Sequence, residues 1–208
     1  MATDEQLLRR WREGDQRAGE QLFDRHFDSL FRFFFSKAED VAEDLTQETL
    51  LACVGSRDRI REDHRFRAFM FTIARRVLYA HYGKKRRRVD VPLGSLSAVD
   101  LSPGVTGLIA EKQDSRIFLE ALRSLPLDYQ IALELHVWES LTGPEIAAVV
   151  EAPEGTIRSR IRRARLQLEE KIHELSGSSK ALQSTSTQID TWAENVRELL
   201  SKQRGAGD

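Results

Sequence analysis

The side chains best suited to chemistry in this chain are cations, and they fall in two sets. The stretch TIRSRIRRAR, Thr156 to Arg165, carries five arginines. Between His64 and Arg88 lie nine bases and no acid: Arg65, Arg67, Arg75, Arg76, Lys84, Lys85, Arg86, Arg87 and Arg88. A guanidinium presents a planar fork that grips guanine O6/N7 or a phosphate in bidentate fashion. The second set is interleaved with Phe66, Phe69, Phe71, Tyr79 and Tyr82, the composition of surfaces that stack unpaired bases while tracking phosphates. A charge run can equally be a solvated face. Catalytic arrangements are missing by contrast. The five histidines (His26, His64, His81, His136, His173) are scattered without ligand spacing, and neither a Gly-rich phosphate loop nor a nucleophile motif occurs. No catalytic residue, metal or cofactor is expected, and the chain is read as a non-enzyme.

The arginines of the first set need an element to aim them, and LTGPEIAAVVEAPEGTIRSRIRRARLQL supplies it. Thr142 and Glu145 form a capping box, with Leu141 and Ile146 at the staple positions, so a helix starts there. It should end near Val150, because Ala152 precedes Pro153, and Pro153 suits the first turn of a second helix. Helix, short turn and helix make a DNA-binding unit when the second helix offers a groove face. At helical spacing Ile157, Ile161, Ala164 and Leu168 make one buried stripe, and Arg158, Ser159, Arg162 and Arg163 lie opposite as groove readers. Arg160 and Arg165 sit on the flanks, where side chains reach phosphates. Glu151 holds the turn position often given to glycine, so the turn must form without that freedom.

The 208 residues include 32 Lys plus Arg and 33 Asp plus Glu, a net charge of −1. Bulk charge therefore recruits no polyanion. Charged residues make up 31% and apolar ones 40%, which suits small helical domains with wet surfaces. No run of 18 apolar residues exists and Met1 to Asp15 is highly charged, so neither a membrane span nor a secretory signal is expected, and the chain is placed in the cytoplasm. Cys53, the single cysteine, excludes an internal disulfide and reads as a small buried hydrophobe.

Helical periodicity runs from Leu7 to Arg88 and from Asp114 to Leu175, with no strand alternation. Val89 to Gly107 holds two Pro and three Gly and neither Lys nor Arg, an interdomain linker. The expectation is an all-α protein: a first domain over 1–88, a linker over 89–113, a second domain over 114–175, then a polar linker and helical extension over 176–208. In that extension Ile189, Trp192, Val196 and Leu199 form one amphipathic stripe. Phe23, Phe27, Leu30 and Phe34 share a helical face and read as core. Glu39 to Val54 carries five acids and no base. There Val41, Leu45 and Ala52 form the inner stripe, while Gln47, Leu50, Leu51 and Val54 lie beside the acids on the far side. A helix apolar on two faces wants a second partner.

With those segments in order, the chain resembles the small two-domain sigma factors of bacterial RNA polymerase, the extracytoplasmic-function (ECF) group, over roughly residues 5 to 172. LLRRWREGD (7–15) is similar to the family's opening helix. AEDLTQETL (42–50) resembles the helix that binds the polymerase clamp, with Asp44, Gln47 and Glu48 in matching places and Leu50 where Phe is commoner. FRAFMFTIARR (66–76) with KKRRR (84–88) resembles the helix that melts and reads the minus-ten element. LRSLPLDYQIALELHVWESLTGPEIAAVVEAPEGTIRSRIRRAR resembles the minus-thirty-five reading domain. Arg76 stands where the family usually has Asn, Ala80 where Asp is frequent, and Phe69 replaces a common Trp.

The resemblance implies roles. Asp40, Glu43, Asp44, Gln47, Glu48 and Leu51 would dock on core RNA polymerase. The loop at Gly55 to His64 would capture an unstacked non-template base. Arg75, Arg76 and Tyr79 would contact the unpaired non-template strand of the minus-ten element, with Lys84, Lys85 and Arg86 on its phosphates. Thr156, Arg158, Ser159, Arg162, Arg163 and Arg165 would read minus-thirty-five duplex. The linker would pass near the RNA exit path. An anti-sigma factor or another regulator is a further partner such a chain allows, and the extension either docks on a sigma domain or a regulator or packs as a terminal helix. The rival reading is a one-component helix-turn-helix regulator that binds duplex DNA without polymerase; it leaves the acidic helix without a role.

Overall fold

The computed structural model describes residues 2–60, 66–85, 91–101 and 113–176. Of the loop expected at Gly55 to His64, Gly55 and Ser56 end the third helix and Arg57–Arg59 form a 3-10 turn; its remainder after Ile60, Arg86, most of the expected linker and the extension beyond Ser176 lie outside the described residues. Among the described residues every regular element is helical, and the one β-type bridge is the isolated pair Ser97 and Pro126.

Four helices build the first bundle: α1 (Asp4–Arg12), α2 (Gln16–Ala38), α3 (Ala42–Ser56) and α4 (Phe66–Lys85). Thr3 caps α1, and its hydroxyl accepts from Gln6 N–H while the Gln6 side chain accepts from Thr3 N–H, satisfying two orphan donors. Asp15 caps α2 by accepting from Ala18 N–H. Asp4 ties α1 to α2 through Arg25 at 2.5 Å and His26 at 2.6 Å. Burial holds the His26 imidazole below its usual pKa against the pull of Asp4. Trp11 packs edge-on to Phe23, 5.1 Å between centroids.

α3 buries a face turned from the expected one. Ala42, Leu45, Thr46, Thr49 and Cys53 are buried, whereas Val41 and Ala52 are only half-buried. The two threonines tolerate the core because their hydroxyls donate to the carbonyls of Ala42 and Leu45 one turn back, at 2.7 and 2.8 Å, leaving no orphan donor. Cys53 is a buried free thiol with its pKa pushed up to about 12 by burial.

The second bundle comprises α5 (Ala98–Leu101), α6 (Gln113–Ser124), α7 (Leu127–Val137), α8 (Gly143–Val150) and α9 (Glu154–Ser176). Within the stretch expected as linker, Leu93–Ser95 forms a 3-10 turn and Leu96 C=O accepts from Leu127 N–H at 2.8 Å, so this strap lies on the start of α7. α8 and α9 clamp Ile146, Val149 and Val150 against Ile157, Ala164 and Leu168, all buried.

The two bundles pack on one another, α4 against α8 and α2 against α6, a contact the sequence reading did not foresee. Lys37 of α2 is fully buried and bonds the Glu134 carboxylate of α7. Glu134 also accepts from Ser36 at 2.9 Å and Gln130 at 2.8 Å. Arg32 reaches Glu139 at 2.6 Å and Arg67 reaches it at 2.9 Å.

Gly19 shows how tight the first bundle is. A Cβ there would stand 2.6 Å from Trp11 Cδ1 and Nε1, and the Trp11 side chain is itself buried. Gly19→Ala should lower stability in urea titration, because overpacking costs about 1–3 kcal/mol against a helix-propensity gain of about 1 kcal/mol at most. Pairing it with Trp11→Leu should recover part of the loss.

Candidate nucleic-acid and partner interfaces

Three surfaces carry the residues singled out from the sequence. The first is the outer side of α3 with the turn before it. Asp40, Glu43, Asp44, Gln47 and Glu48 are exposed there around Leu51, which is 72% exposed, and Val54, 45% exposed. Two large apolar side chains left in water amid carboxylates form a patch suited to a partner with apolar and basic groups.

The second surface is α9. The helix begins after a turn in which Glu151 adopts left-handed backbone, φ 55° and ψ 46°, a conformation glycine takes more readily. α8 is fixed at its start by Thr142, whose N–H and hydroxyl both donate to the Glu145 carboxylate at 2.8 and 2.6 Å. With Ile157, Ala164 and Leu168 turned inward, Arg158, Ser159, Arg162, Arg163 and Arg165 are exposed and Thr156 is half-buried. Arg163 lies 3.4 Å from the Tyr129 hydroxyl. Arg160, expected on a phosphate flank, instead pairs with Asp128 at 3.0 Å. The exposed side is one cationic strip on a rod that fits a major groove.

The third surface is α4, where Arg75, Arg76 and Tyr79 come together. Arg75 lies over the Tyr79 ring, 4.6 Å from its centroid. All three meet acids of the second bundle. Tyr79 OH donates to Asp128 Oδ1 at 2.5 Å, Arg76 donates to Glu151 at 2.8 Å, and Arg75 stands 3.7 Å from the same carboxylate. Burial and the bond to Asp128 hold the Tyr79 phenol above its usual pKa. Arg76 draws the Glu151 carboxyl below its usual value. Lys84 is exposed at the end of α4, Lys85 is its last residue, and Arg86 lies outside the described residues. Phe66 is buried in the first core, with Phe69 half-buried.

The sequence reading missed Asp128, Glu134 and Glu139 and gave Glu151 only a turn role; all four make contacts between bundles. Their signal was charge stranded in apolar runs: Arg32 and Lys37 in FRFFFSK, Glu134 between Leu133 and Leu135. Among the described residues no group of three or more His, Cys, Asp or Glu could hold a metal ion, and no helix is long and apolar enough to cross a membrane.

Comparison with known proteins matches two stretches of the chain to family models. Residues 22–88 match Sigma-70 region 2 and residues 115–168 match Sigma-70, region 4. The chain is 34% identical over 139 residues to the ECF RNA polymerase sigma factor EcfG of Rhodopseudomonas palustris, covering 66% of this chain and 75% of that one. It is 27% identical over 186 residues to the ECF RNA polymerase sigma-E factor of Salmonella typhimurium, covering 83% and 96%. Among solved structures, RpoE in complex with the anti-sigma factor NepR from Bartonella quintana superposes with a TM-score of 0.56 at 25% identity, over 77% of this chain and 98% of that one. CnrH in complex with the cytosolic domain of CnrY shares the fold at the same TM-score and 23% identity, over 85% and 99%.

The α8 cap is a handle on the second surface. Thr142→Ala should cost about 1 kcal/mol of stability in urea titration, with Thr142→Ser close to the parent.

Proposed function

The chain belongs to the sigma-70 family, in its ECF group, and from that premise we propose that it binds core RNA polymerase and directs initiation at promoters it reads at two DNA elements. The outer face of α3 docks on the polymerase through Leu51 and the carboxylates around it. α4 contacts the unpaired non-template strand of the minus-ten element through Arg75, Arg76 and Tyr79. Lys84, Lys85 and Arg86 hold its phosphates. α9 enters minus-thirty-five duplex with Thr156, Arg158, Ser159, Arg162, Arg163 and Arg165. Bond-making chemistry belongs to the polymerase, so this chain contributes binding energy and strand separation, acting in the cytoplasm. An anti-sigma factor is a natural further partner, as the RpoE and NepR complex has one.

The observation that carries this reading is the α9 strip: Arg158, Ser159, Arg162 and Arg163 exposed together on the second helix of a capped helix-turn-helix. The acid and apolar face of α3 favours a sigma factor over a lone duplex-binding regulator, which would have no use for it.

Run-off transcription with core polymerase on fragmented genomic DNA tests the proposal. Discrete transcripts should appear only when the chain is added, and equal initiation without it would refute the reading. Arg162→Ala or Arg163→Ala should cost on the order of 1–3 kcal/mol at one base step of the upstream element; a uniform loss across sequences would count against the groove face. Leu51→Asp should weaken the complex with core polymerase about tenfold or more, measured by co-sedimentation.

A further inference from the structure

A cavity of about 520 Å³ lies where the strap, α4, α7 and α9 meet. Sites that bury a small organic molecule usually measure about 300–1,000 Å³. Its walls are set by contacts already in place. Leu127 N–H holds the strap through the Leu96 carbonyl at 2.8 Å, and Asp128 is fixed by the Tyr79 hydroxyl at 2.5 Å and by Arg160 at 3.0 Å. The strap passes so close to Asp128 that a Cβ on Gly94 would stand 2.4 Å from its carboxyl carbon. Framed in this way, the cavity needs no occupant to form.

Two guanidiniums line it, those of Arg75 and Arg160. Each keeps one buried nitrogen, Nε of Arg75 and Nη1 of Arg160, without a hydrogen-bond partner among the described residues. A buried donor with no acceptor is destabilising. Because the five donors of a guanidinium form one rigid fork, a small turn of either side chain toward an acceptor in the cavity would relieve it. Charge decides the kind of acceptor. Against the two guanidiniums the lining sets one carboxylate, Asp128, while Glu151, 3.7 Å from Arg75, is already engaged by Arg76 at 2.8 Å. One positive charge is left over, which matches a single carboxylate and not a polyphosphate. Pro92, Leu93 and Pro126 supply apolar wall, and Tyr79 and Tyr129 supply aromatic wall. The Arg75 guanidinium already lies 4.6 Å from the Tyr79 ring centroid, and a flat ring would extend that stacking.

The geometry points to a ligand site for a small aromatic monocarboxylate, its carboxylate taken by Arg75 and Arg160 and its ring set among Tyr79, Tyr129 and the two prolines. Arg75 and Tyr79 belong to the first bundle, and Tyr129 and Arg160 to the second. A bound ligand therefore touches both bundles and stabilises the packed chain by mass action.

The full-length chain tests this without polymerase or promoter, so the outcome is independent of run-off transcription. Phenylacetate and naphthoate are titrated by calorimetry beside naphthalenemethanol, an uncharged counterpart, and inorganic phosphate, while NMR follows the Arg75 Nε–H signal. Naphthoate should bind one per chain with a Kd on the order of 10⁻⁴ M, as expected for about a dozen heavy atoms, and phenylacetate more weakly. The Arg75 signal should move along the same curve. Arg75→Gln and Arg160→Gln should each weaken binding about tenfold or more, whereas Arg165→Gln, exposed on the same helix outside the cavity, should leave it unchanged. Absence of saturable binding by both carboxylates overturns the inference, as does equal binding of the alcohol or a preference for phosphate. Binding that survives both glutamine variants, with helicity intact by circular dichroism, places the ligand elsewhere and also overturns it. Should a glutamine variant lose helicity, the Arg75 signal of the parent decides: a shift along the naphthoate curve supports the site and a static signal refutes it.

Discussion

Charge taken out of water must find its partner where it is buried, and here the partners lie on different bundles. Lys37 is fully buried, and its carboxylate, Glu134, is supplied by a helix 97 residues further along the chain. Arg32 depends in the same way on Glu139. An unpaired buried charge costs several kcal/mol, while a well-bonded pair roughly breaks even against an apolar replacement. The pairs therefore add little net stability and a great deal of register. Glu134 accepts from Lys37 and Ser36 across the seam and from Gln130 on its own helix, and a shift of one helical turn between α2 and α7 would strand the first two. With that register fixed, α8 must lie along α4, and the turn after α8 must arrive beside Arg76.

The same register accounts for how a chain of net charge −1 manages strongly cationic surfaces. Bases and acids are segregated along the sequence, but folding sets them against each other selectively. The exposed strip on α9 stays in solvent, while Arg75 and Arg76 of α4 are matched by Glu151. Long-range attraction to a polyanion is set by net charge, so the isolated chain carries little pull toward bulk DNA.

Much of this was legible locally. The capping box at Thr142, the stop near Val150 and the stripe from Ile157 to Leu168 follow from rules that act within a few residues; all three are present, with Ile161 of the stripe only half-buried. The exposure of Leu51 and Val54 followed from helical spacing alone. The inner stripe of α3 did not, because hydropathy treats threonine as a surface residue, whereas Thr46 and Thr49 spend their hydroxyls on their own helix and enter the core. The seam between bundles was least legible. Helical periodicity sees neighbours three and four residues away, and ion pairs separated by 97 and 107 residues leave no period. What they leave is misplaced charge in apolar segments, a sign that a partner exists without saying where.

Two departures from the family pattern, distant in sequence, meet in space. Glu151 occupies a helix-turn-helix turn where glycine is common, and Arg76 stands where asparagine is usual; their side chains are 2.8 Å apart. Stability gives no reason for the glutamate. Left-handed backbone costs a residue with a Cβ roughly 1–2 kcal/mol, and an exposed ion pair returns at most about 1 kcal/mol. Asparagine at 76 would be shorter and could offer a carboxylate only an uncharged donor, and glycine at 151 would offer no carboxylate at all. The pair ties the turn after α8 to α4 at one particular place, beside Arg75 and Tyr79.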